Sequence, residues 1–582
     1  MTSQRRKSEY MTVNRILLIL ILLLALGLRL WGLDNGLPYG QVGDESEGIS
    51  ASLRIASGAP PDYAYIRAGW DVLQLSALAP YYAALKLTHP GFSIADFEAL
   101  YFTHRDYFIL LMRVMAVLMT LAGVFLTYLA GRELTNSEAG GLLTALFMSL
   151  QPFAAYLAHY SLSDNMGLLG VTMTLTASVF MARRGTRWSY VLGGFGLTIA
   201  MLGHLQTVVV GIAPALAHII YWWRKPGRPI SLLATRWLWA LLAFVVSHLL
   251  LNPYIIFDTR AVISDIGFIF NQRFSTTNTL TDRLANIEAN ALLPFIPMRP
   301  YMALLALVGT VLAILRRNLE SLILAVFLVL FSLSLLPAPE PRITFWLGTT
   351  TPVAMISAYA IWTWVQSDQR RQRWIAFSLG SIALLLALGE CILIDKAMAA
   401  PNTRSVAYDY IIQHIPANSR IMTGETFAYS VPLARNETSI RRMQTINTLP
   451  PRYAYQLAHP DLFNQPEFDI FGAEYQQQIT DHATWWNFVR VNDIEYVIEN
   501  DYCYGPNRYD ADSVIEFPVI DDQTRAELQL VQVFSPFRSK SCEQSIENRT
   551  PMEKMDLLGW IRVGPIIRLY RVPRLLTFRS ER

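Results

Sequence analysis

The sequence predicts a polytopic α-helical membrane protein with about eleven transmembrane helices, followed by a mixed α/β domain outside the membrane. Hydrophobic residues make up 53% of the 582 residues and charged residues only 16%, against about 25% charged residues in a typical soluble domain. Apolar segments of spanning length recur as far as residue 395, and after Pro401 the pattern becomes that of a soluble domain. These observations predict two parts, 1–399 in the membrane and 400–582 outside it.

Each predicted span is an apolar segment long enough, or nearly long enough, to cross a bilayer. The first follows Arg5, Arg6 and Lys7 and so resembles a signal peptide, but its length and the lack of a cleavage site favour an uncleaved helix. The fifth and sixth spans are short and must be joined by a tight turn at 204–206. The segments are 14–33, 107–131, 139–158, 165–182, 188–203, 207–223, 238–257, 301–315, 319–336, 344–365 and 374–394.

Lysine and arginine are concentrated in every second connection between the predicted spans, which predicts the orientation of the chain. The opposite short loops, 158–164 and 204–207, contain neither residue type. By the positive-inside rule the N-terminus is cytoplasmic, and an odd number of spans places the C-terminal domain outside the plasma membrane. A formal charge of +3 is too small to suggest a nucleic-acid partner. The basic connections carry Arg5, Arg6, Lys7 and Arg15, then Arg132, Arg183, Arg184, Arg187, Arg224, Lys225, Arg228, Arg316, Arg317, Arg370, Arg371 and Arg373.

Two predicted outer loops, 34–106 and 258–300, are long enough to suggest a functional role. Within the first loop, 47–57 and 73–87 have mixed apolar and polar faces, which favours helices lying along the membrane interface. The second loop is polar, and its segment 271–281 is typical of a flexible connection.

The C-terminal part has the patterns of one α/β domain. We predict a helix at 403–415 and strands at 420–423, 495–498, 528–534 and 566–571. Cys503 and Cys542 are the only plausible disulfide pair if this domain faces an oxidising compartment; two unrelated free thiols are the alternative. Cys391, in an apolar segment, is expected to be a small buried hydrophobe.

Ionisable residues gather on the predicted outer face, where each is costly and therefore a functional hypothesis. Each has an ordinary alternative: the acids could be solvated loop residues, and Arg29 could extend to the lipid headgroups. Arg342 could pair with Glu340. Histidines at such positions are often simply packed helix-end residues. The acids are Asp44, Glu45 and Asp164, the arginines are Arg29, Arg113 and Arg342, and the histidines are His159, His204 and His248.

This set of residues suits a phosphate-bearing lipid substrate. Arginine binds phosphate oxygens with two parallel hydrogen bonds, and a lipid phosphate lies at the depth of these side chains. A neighbouring carboxylate could take the proton of an acceptor hydroxyl while the sugar is displaced from phosphate. The departing phosphate is already charged, so it requires electrostatic stabilisation rather than an acid.

At these residues the sequence resembles the GT-C class of multi-spanning glycosyltransferases, and most closely family 39. That family contains protein O-mannosyltransferases and aminoarabinose transferases that act on lipid A. The resemblance covers nearly the whole chain and is most specific over 29–165. The matching motifs are Gly43-Asp44-Glu45, Met112-Arg113-Val114 with Gly131-Arg132-Glu133-Leu134, Gln151-Pro152-Phe153 with His159-Tyr160-Ser161 and Asp164, Asn252-Pro253-Tyr254, and Thr403-Arg404 with Ile415-Pro416 and Ser419-Arg420-Ile421.

The resemblance implies an inverting transfer of a sugar from a polyprenyl-phosphate-linked donor, with Asp44 as general base and Asp164 arranging the site. Residues assigned to substrate binding are Glu45, Arg29, Arg113, His159 and Arg342. The chain also departs from the family. Many members have lysine at the turn where this chain has His204 and Gln206, and many have Arg-Tyr where Arg342 is followed by Ile343.

The implied partners are the lipid-linked sugar, a glycan, lipid or protein acceptor, and membrane lipids. Asp44, Glu45 and Asp164 are residue types that could hold a divalent metal, whereas the resemblance implies no obligatory metal or other cofactor. A transporter or flippase for a lipid-linked glycan is the main alternative, although such proteins usually bind substrate near the midplane between internal repeats. An inactive scaffold whose outer domain binds a partner is a third hypothesis.

Overall fold

The structure is a computed structural model that describes residues 2–40, 43–227, 230–274, 279–338, 343–424, 430–463, 465–479, 481–501, 518, 520–538 and 560–573. The chain forms two compact units. The helical unit comprises Met1–Trp31, Gly48–Pro80 and Leu111–Asp395, and the sheet unit comprises Gly32–Glu47, Tyr81–Leu110 and Lys396–Arg582. The first predicted outer loop therefore contributes to both units.

As far as residue 399, the described part of the chain consists of helices and the short connections between them. Two 3₁₀ helices, Leu205–Gly211 and Ile343–Thr349, lead directly into α10 and α18. The α-helices are α1 Thr2–Leu30, α2 Gly43–Ala56, α3 Ala68–Thr88, α4 Ile94–Thr103, α5 Arg105–Thr135, α6 Glu138–Ser149, α7 Pro152–Leu157, α8 Ser163–Arg183, α9 Arg187–Gly203, α10 Ile212–Trp223, α11 Ile230–Leu251, α12 Tyr254–Phe257, α13 Thr259–Phe274, α14 Leu280–Asn290, α15 Phe295–Met298, α16 Pro300–Leu315, α17 Leu319–Leu335, α18 Thr350–Val365 and α19 Arg370–Ala399.

All eleven apolar segments lie mainly on helices, as predicted. Among the described residues, five helices are long and apolar enough to cross a membrane, or six if α14–α16 is one bent span with a 90° break at Arg299. The five are Val13–Leu30, Arg105–Thr135, Ser163–Arg183, Leu205–Trp223 and Arg370–His414. Helices of this length and composition are typical of a helical membrane protein. The count of eleven and the orientation remain predictions.

In the helical unit α8 and α9 run antiparallel and share the most extensive contact of any two helices described. Glycines allow this approach, because a Cβ atom on Gly170 would overlap the backbone of Ala200, and one on Gly203 would overlap the backbone of Gly167. Small residues at a helix contact let two backbones approach closely in a membrane. As a result the C-terminal end of α9 lies directly against the first turn of α8.

Both long loops contain more helix than their sequences suggested. The predicted interfacial segments of the first loop form α2 and α3, and α4 follows them. The second loop forms α13 and α14, so both ends of the segment 271–281, expected to be a flexible connection, are helical: α13 extends to Phe274 and α14 begins at Leu280. Residues 275–278 lie outside the described residues. The two loops are joined by a hydrogen bond from the Tyr65 amide to the Asp265 carboxylate, with N and Oδ2 2.9 Å apart.

The sheet unit has a six-stranded sheet in the order β2-β3-β1-β4-β6-β5. Strands β2, β3, β1 and β4 are parallel, and β6 runs antiparallel to both β4 and β5. The strands are β1 Arg420–Met422, β2 Ala434–Arg435, β3 Glu467–Phe471, β4 Tyr496–Asp501, β5 Gln529–Phe534 and β6 Ile566–Arg571, and the helices are α20 Thr403–His414, α21 Glu437–Gln444, α22 Pro451–Ala458, α23 His482–Val491 and α24 Asp522–Glu527.

Alternating strand residues bury two separate cores on the two faces of this sheet. Val497 of β4 packs with Trp485 of α23 in one core. Ile498, the next residue, packs with Ile411 of α20 in the other. A sheet covered on both faces is the arrangement expected of mainly parallel strands. The predicted helix and all four predicted strands are confirmed, with ends within one residue of the prediction except that β4 extends three residues further, to Asp501.

Candidate functional site

The helical unit brings Asp164 and His204 into direct contact. His204 Nε2 lies 2.9 Å from Asp164 Oδ1, and the Gln206 side-chain amide lies 3.1 Å from the other ring nitrogen. Thr344, in the 3₁₀ helix that precedes α18, also hydrogen-bonds to the Asp164 carboxylate. Asp164 is 7% exposed. The carboxylate is therefore fixed in orientation by groups from two other chain segments.

Local structure explains why His204 reaches Asp164. α9 ends at Gly203, and His204 adopts an extended conformation (φ −153°, ψ 120°) before the 3₁₀ helix begins. Because Gly203 packs on Gly167, one turn into α8, the ring of His204 faces the start of that helix. Phe345 closes the other side, with ring centroids 5.6 Å apart.

Arg29 is fully buried near the same end of the unit. Its Nε donates to Thr120 Oγ1 at 3.0 Å, and one terminal nitrogen donates to the carbonyl oxygens of Ala25 and Ser149 at 3.0 and 3.1 Å. The other terminal nitrogen, Nη2, has no hydrogen-bond partner among the described residues. A side chain held in this way does not extend to the lipid headgroups, so the alternative considered for Arg29 is wrong.

His159 is also buried, and oxygens surround its ring. Nδ1 lies 2.9 Å from the Ala155 carbonyl, and Nε2 lies 3.0 Å from the Trp31 carbonyl and 3.6 Å from Asp395 Oδ1. Burial lowers the pKa of the imidazole to about 4, partly opposed by these hydrogen bonds. The contacts with Trp31 and Asp395 join the C-terminal ends of α1 and α19, so His159 has a clear packing role.

Arg113 packs against Tyr160, in the segment that precedes Asp164, and its charge also acts on His159. Its guanidinium lies 5.6 Å from the centre of the Tyr160 ring, and it is fully buried. Asn165 connects the loop to α8, because its amide donates to the carbonyl oxygens of Leu157 and Tyr160 at 3.0 and 2.8 Å. Arg29, Arg113, His159 and Asp164 therefore lie at one end of the helical unit, which we call the Asp164 end.

Asp44 and Glu45 belong to the sheet unit and occupy the first turn of α2. Asp44 is exposed, whereas Glu45 is fully buried. The helix N-terminus favours negative charge at both positions. An exposed carboxylate can receive a proton from a bound acceptor, whereas the buried position of Glu45 fits a supporting role.

Three of the predicted residues lie outside the described part of the chain: Arg342, Cys503 and Cys542. Cys391 is buried, with Sγ 3.6 Å from the Leu150 carbonyl, as predicted for a small apolar residue. His248 packs between Phe244 and Tyr65, which agrees with the ordinary interpretation of that histidine.

Sequence reasoning missed several charged residues at the Asp164 end. Asp395 contacts His159, and both of its buried oxygens have no hydrogen-bond partner among the described residues. Arg299, 1% exposed, pairs with Glu390 at 2.8 Å, and Tyr301 donates to the same carboxylate at 3.2 Å. Acids at the end of an apolar span were the available signal in both cases.

A metal centre is not supported by the described residues, since no three His, Cys, Asp or Glu side chains among them cluster closely enough to hold an ion. The possibility that Asp44, Glu45 and Asp164 hold a divalent metal remains a prediction.

Comparisons with known proteins give no family by sequence: no protein-family profile and no curated protein matches the chain. Two solved structures are similar over most of the length. ArnT from Cupriavidus metallidurans bound to undecaprenyl phosphate is 11% identical, with a TM-score of 0.43 over 97% of this chain and 98% of that chain. The apo structure of the same protein is 12% identical, with a TM-score of 0.42 over 90% and 96%.

Proposed function

We propose that the chain is an integral-membrane glycosyltransferase that moves a sugar from a polyprenyl-phosphate donor to a glycolipid, cell-envelope glycan or protein acceptor. The observation that carries the proposal is the fully buried guanidinium of Arg29, whose Nη2 has no partner among the described residues, at the same end as the oriented carboxylate of Asp164. The charge of Arg29 also interacts with the nearby carboxylate of Asp395. A buried donor atom without a hydrogen-bond partner is nevertheless costly, so Nη2 is suited to an anionic ligand.

In the proposed reaction the acceptor hydroxyl attacks the anomeric carbon of the sugar. Asp44 takes the hydroxyl proton, the new glycosidic bond forms, and the bond from the anomeric carbon to the phosphate oxygen breaks. The polyprenyl phosphate leaves with the bonding electrons. A single displacement inverts the anomeric configuration.

The other residues stabilise the leaving phosphate or position the substrates in this proposal. Arg29 and Arg113 stabilise the charge of the leaving phosphate, with Arg342 as a further candidate, because fixed donors aimed at developing charge lower the barrier most. Asp164, oriented by His204, positions the acceptor. Glu45 and His159 support the substrate contacts, and the reaction takes place on the extracytoplasmic face of the plasma membrane.

The test is to reconstitute the purified chain in vesicles that contain a polyprenyl-phosphate donor with a labelled sugar. The proposal predicts that free polyprenyl phosphate and labelled acceptor accumulate together. Movement of intact labelled donor across the bilayer, without release of polyprenyl phosphate, would instead identify a flippase. The matched control is the Asp44→Asn variant at equal protein density, since it should abolish release without changing insertion.

A further inference from the structure

The opposite end of the helical unit contains an open cavity of about 560 Å³. α8 runs from Asp164 to Arg183, so the cavity lies one full helix length from the site described above. Four arginines line it, from the ends of α8 and α10 and from the turn between α16 and α17: Arg183, Arg224, Arg316 and Arg317. Glu320 is the only acid in the lining, which is therefore strongly positive.

Glu320 holds two of the arginines in place. Its buried Oε1 accepts hydrogen bonds from Arg183 Nε at 3.2 Å and from Arg224 at 2.7 Å. Arg183 also donates to the Leu134 carbonyl and to the Asn136 side chain, and Arg224 to the Ala182 carbonyl. One carboxylate shared by two fixed guanidiniums leaves a net positive charge on a rigid wall.

Arg316 and Arg317, the other two arginines of the lining, are exposed, and neither makes an ion pair with a described residue. Arg317 has φ +52°, in the left-handed region that favours glycine. The Asn318 amide donates to the Ala313 carbonyl and the Arg317 amide to the Ile314 carbonyl, so Arg317 occupies the C′ position of a Schellman motif. The left-handed backbone conformation costs free energy for arginine, and a glycine at this position would avoid that cost.

We propose that this cavity binds a phosphate-bearing headgroup, as a second anion site separate from the proposed active site. Arginine forks match phosphate oxygens, and the cavity volume accommodates a phosphate with an attached glycerol or sugar. Tyr359 and Trp362 are also among the lining residues, and such aromatic residues are typical of the headgroup level of a membrane. Basic pockets between helices are known to hold anionic lipid headgroups. The same chemistry would accept free phosphate, so the experiment must separate the two sources.

The ordinary explanation of a basic turn is that it is solvated and sets the orientation of the chain in the membrane. That explanation does not account for a cavity. Here Arg183 is 17% exposed and its charge faces a concave surface shared by four helix ends and a turn. A merely solvated face would attract anions diffusely, with equal contributions from all nearby arginines.

The test measures the thermal unfolding midpoint of the full-length protein in neutral detergent. Dioctanoyl phosphatidylglycerol, dioctanoyl phosphatidylcholine and inorganic phosphate are titrated separately. A ligand that binds only the folded state raises the midpoint by mass action. The test variant is Arg316→Gln with Arg317→Gln. The matched control is Arg370→Gln with Arg371→Gln, which removes the same charge from exposed residues of α19 outside the cavity.

We expect phosphatidylglycerol, but not phosphatidylcholine, to raise the midpoint of the wild type, with at least fivefold weaker apparent affinity in the test variant and unchanged affinity in the control. Arg317→Gly guards against misfolding: it should raise the ligand-free midpoint and still weaken binding. An equal response to inorganic phosphate alone would assign the site to a soluble phosphate. Equal losses in the test and control variants, or no response to either anion, would overturn the proposal.

Discussion

The imidazole of His204 lies 2.9 Å from the carboxylate of Asp164 and joins the end of α9 to the first turn of α8. The position is notable because the family that the sequence resembles often has lysine near this turn. A histidine supplies the same hydrogen bond from a shorter side chain. The departure from the family motif is therefore compatible with an oriented Asp164, rather than a sign of a lost site.

His204→Ala should lower kcat/KM for sugar transfer by about 10- to 100-fold, the usual effect of removing a residue that orients a functional group. His204→Lys should retain activity within about tenfold, because a lysine can still donate to Asp164. Combining Asp164→Asn with His204→Ala should cost little more than the stronger single substitution, since the two act as one unit. Fully additive losses would show that the contact has no role in turnover.

Gly203→Ala should separate α9 from α8, because the added methyl group would overlap the Gly167 backbone. We expect a loss of stability of about 1–3 kcal/mol, as for other overpacked contacts, together with reduced transfer. Thermal unfolding and the transfer assay measure the two effects. The control is Gly267→Ala in α13, where nothing lies within 4 Å of an added Cβ and stability should be unchanged or slightly higher. Similar behaviour of both variants would contradict the packing argument.

Asp71, in α3, gives the protein a pH-dependent stability. Its side chain is 1% exposed, and neither oxygen has a hydrogen-bond partner among the described residues. Burial raises the pKa of the carboxyl group to about 8, with Arg67 opposing the shift. Between about pH 4, the unfolded value, and about pH 8 the unfolded chain loses this proton and the folded chain keeps it, so the free energy of unfolding falls as the pH rises.

Asp71→Asn should therefore stabilise the protein by an amount that grows from about pH 4 to about pH 8, reaching several kcal/mol on the scale of about 1.4 kcal/mol per pKa unit. Thermal unfolding across this range provides the measurement. Asp62→Asn, which removes an acid 64% exposed from the same loop, should change the midpoint little. A stabilisation by Asp71→Asn that is equal at pH 5 and pH 8 would exclude titration of this group as its cause.

In the sheet unit, the buried pair of Arg435 and Glu474 should be essential for stability. Arg435 donates from both terminal nitrogens to the two Glu474 oxygens at 2.7 and 3.0 Å, and both side chains are less than 10% exposed. Arg435→Met leaves a buried carboxylate without its partner, which should cost about 3–5 kcal/mol. Hydrogen exchange of the β3 amides in the full-length protein reports this loss.

Arg441→Met provides the matched control, since it removes an exposed ion pair with Glu437 one turn away on α21, worth about 0.3–0.5 kcal/mol. Exchange in β3 should therefore be nearly unchanged. Comparable acceleration in the two variants would mean that burial does not determine the strength of these pairs.

Much of the secondary structure was predictable, because the length of apolar segments and the periodicity of apolar residues are strong signals. The spans, α20 and four strands follow from such patterns. β2 has only two residues and β3 contains the charged residues Glu467 and Asp469, so neither gives a clear alternating pattern. These two strands are defined by their parallel pairing, a tertiary contact that no local pattern encodes.

The site was predictable in its residue types but not in its contacts. Arg29, Arg113 and Asp164 are charged residues near predicted span ends, which the cost of burying charge makes conspicuous. Asp395 directly follows the predicted span 374–394, where an acid is ordinarily solvated, so its position alone did not single it out. Its contact with His159 depends on the packing of α19 beside the loop after α7, which is separated from it by more than 200 residues.

The central claim is tested most directly by the turnover number of purified Asp44→Asn with a saturating polyprenyl-phosphate-sugar donor and acceptor. Loss of a general base predicts a fall in kcat of about 10²–10⁴-fold, with binding of polyprenyl phosphate unchanged. Glu47→Gln, the same loss of charge at an exposed position one turn further along α2, should keep wild-type turnover. Wild-type turnover by Asp44→Asn, at the same protein level, would contradict the proposed mechanism.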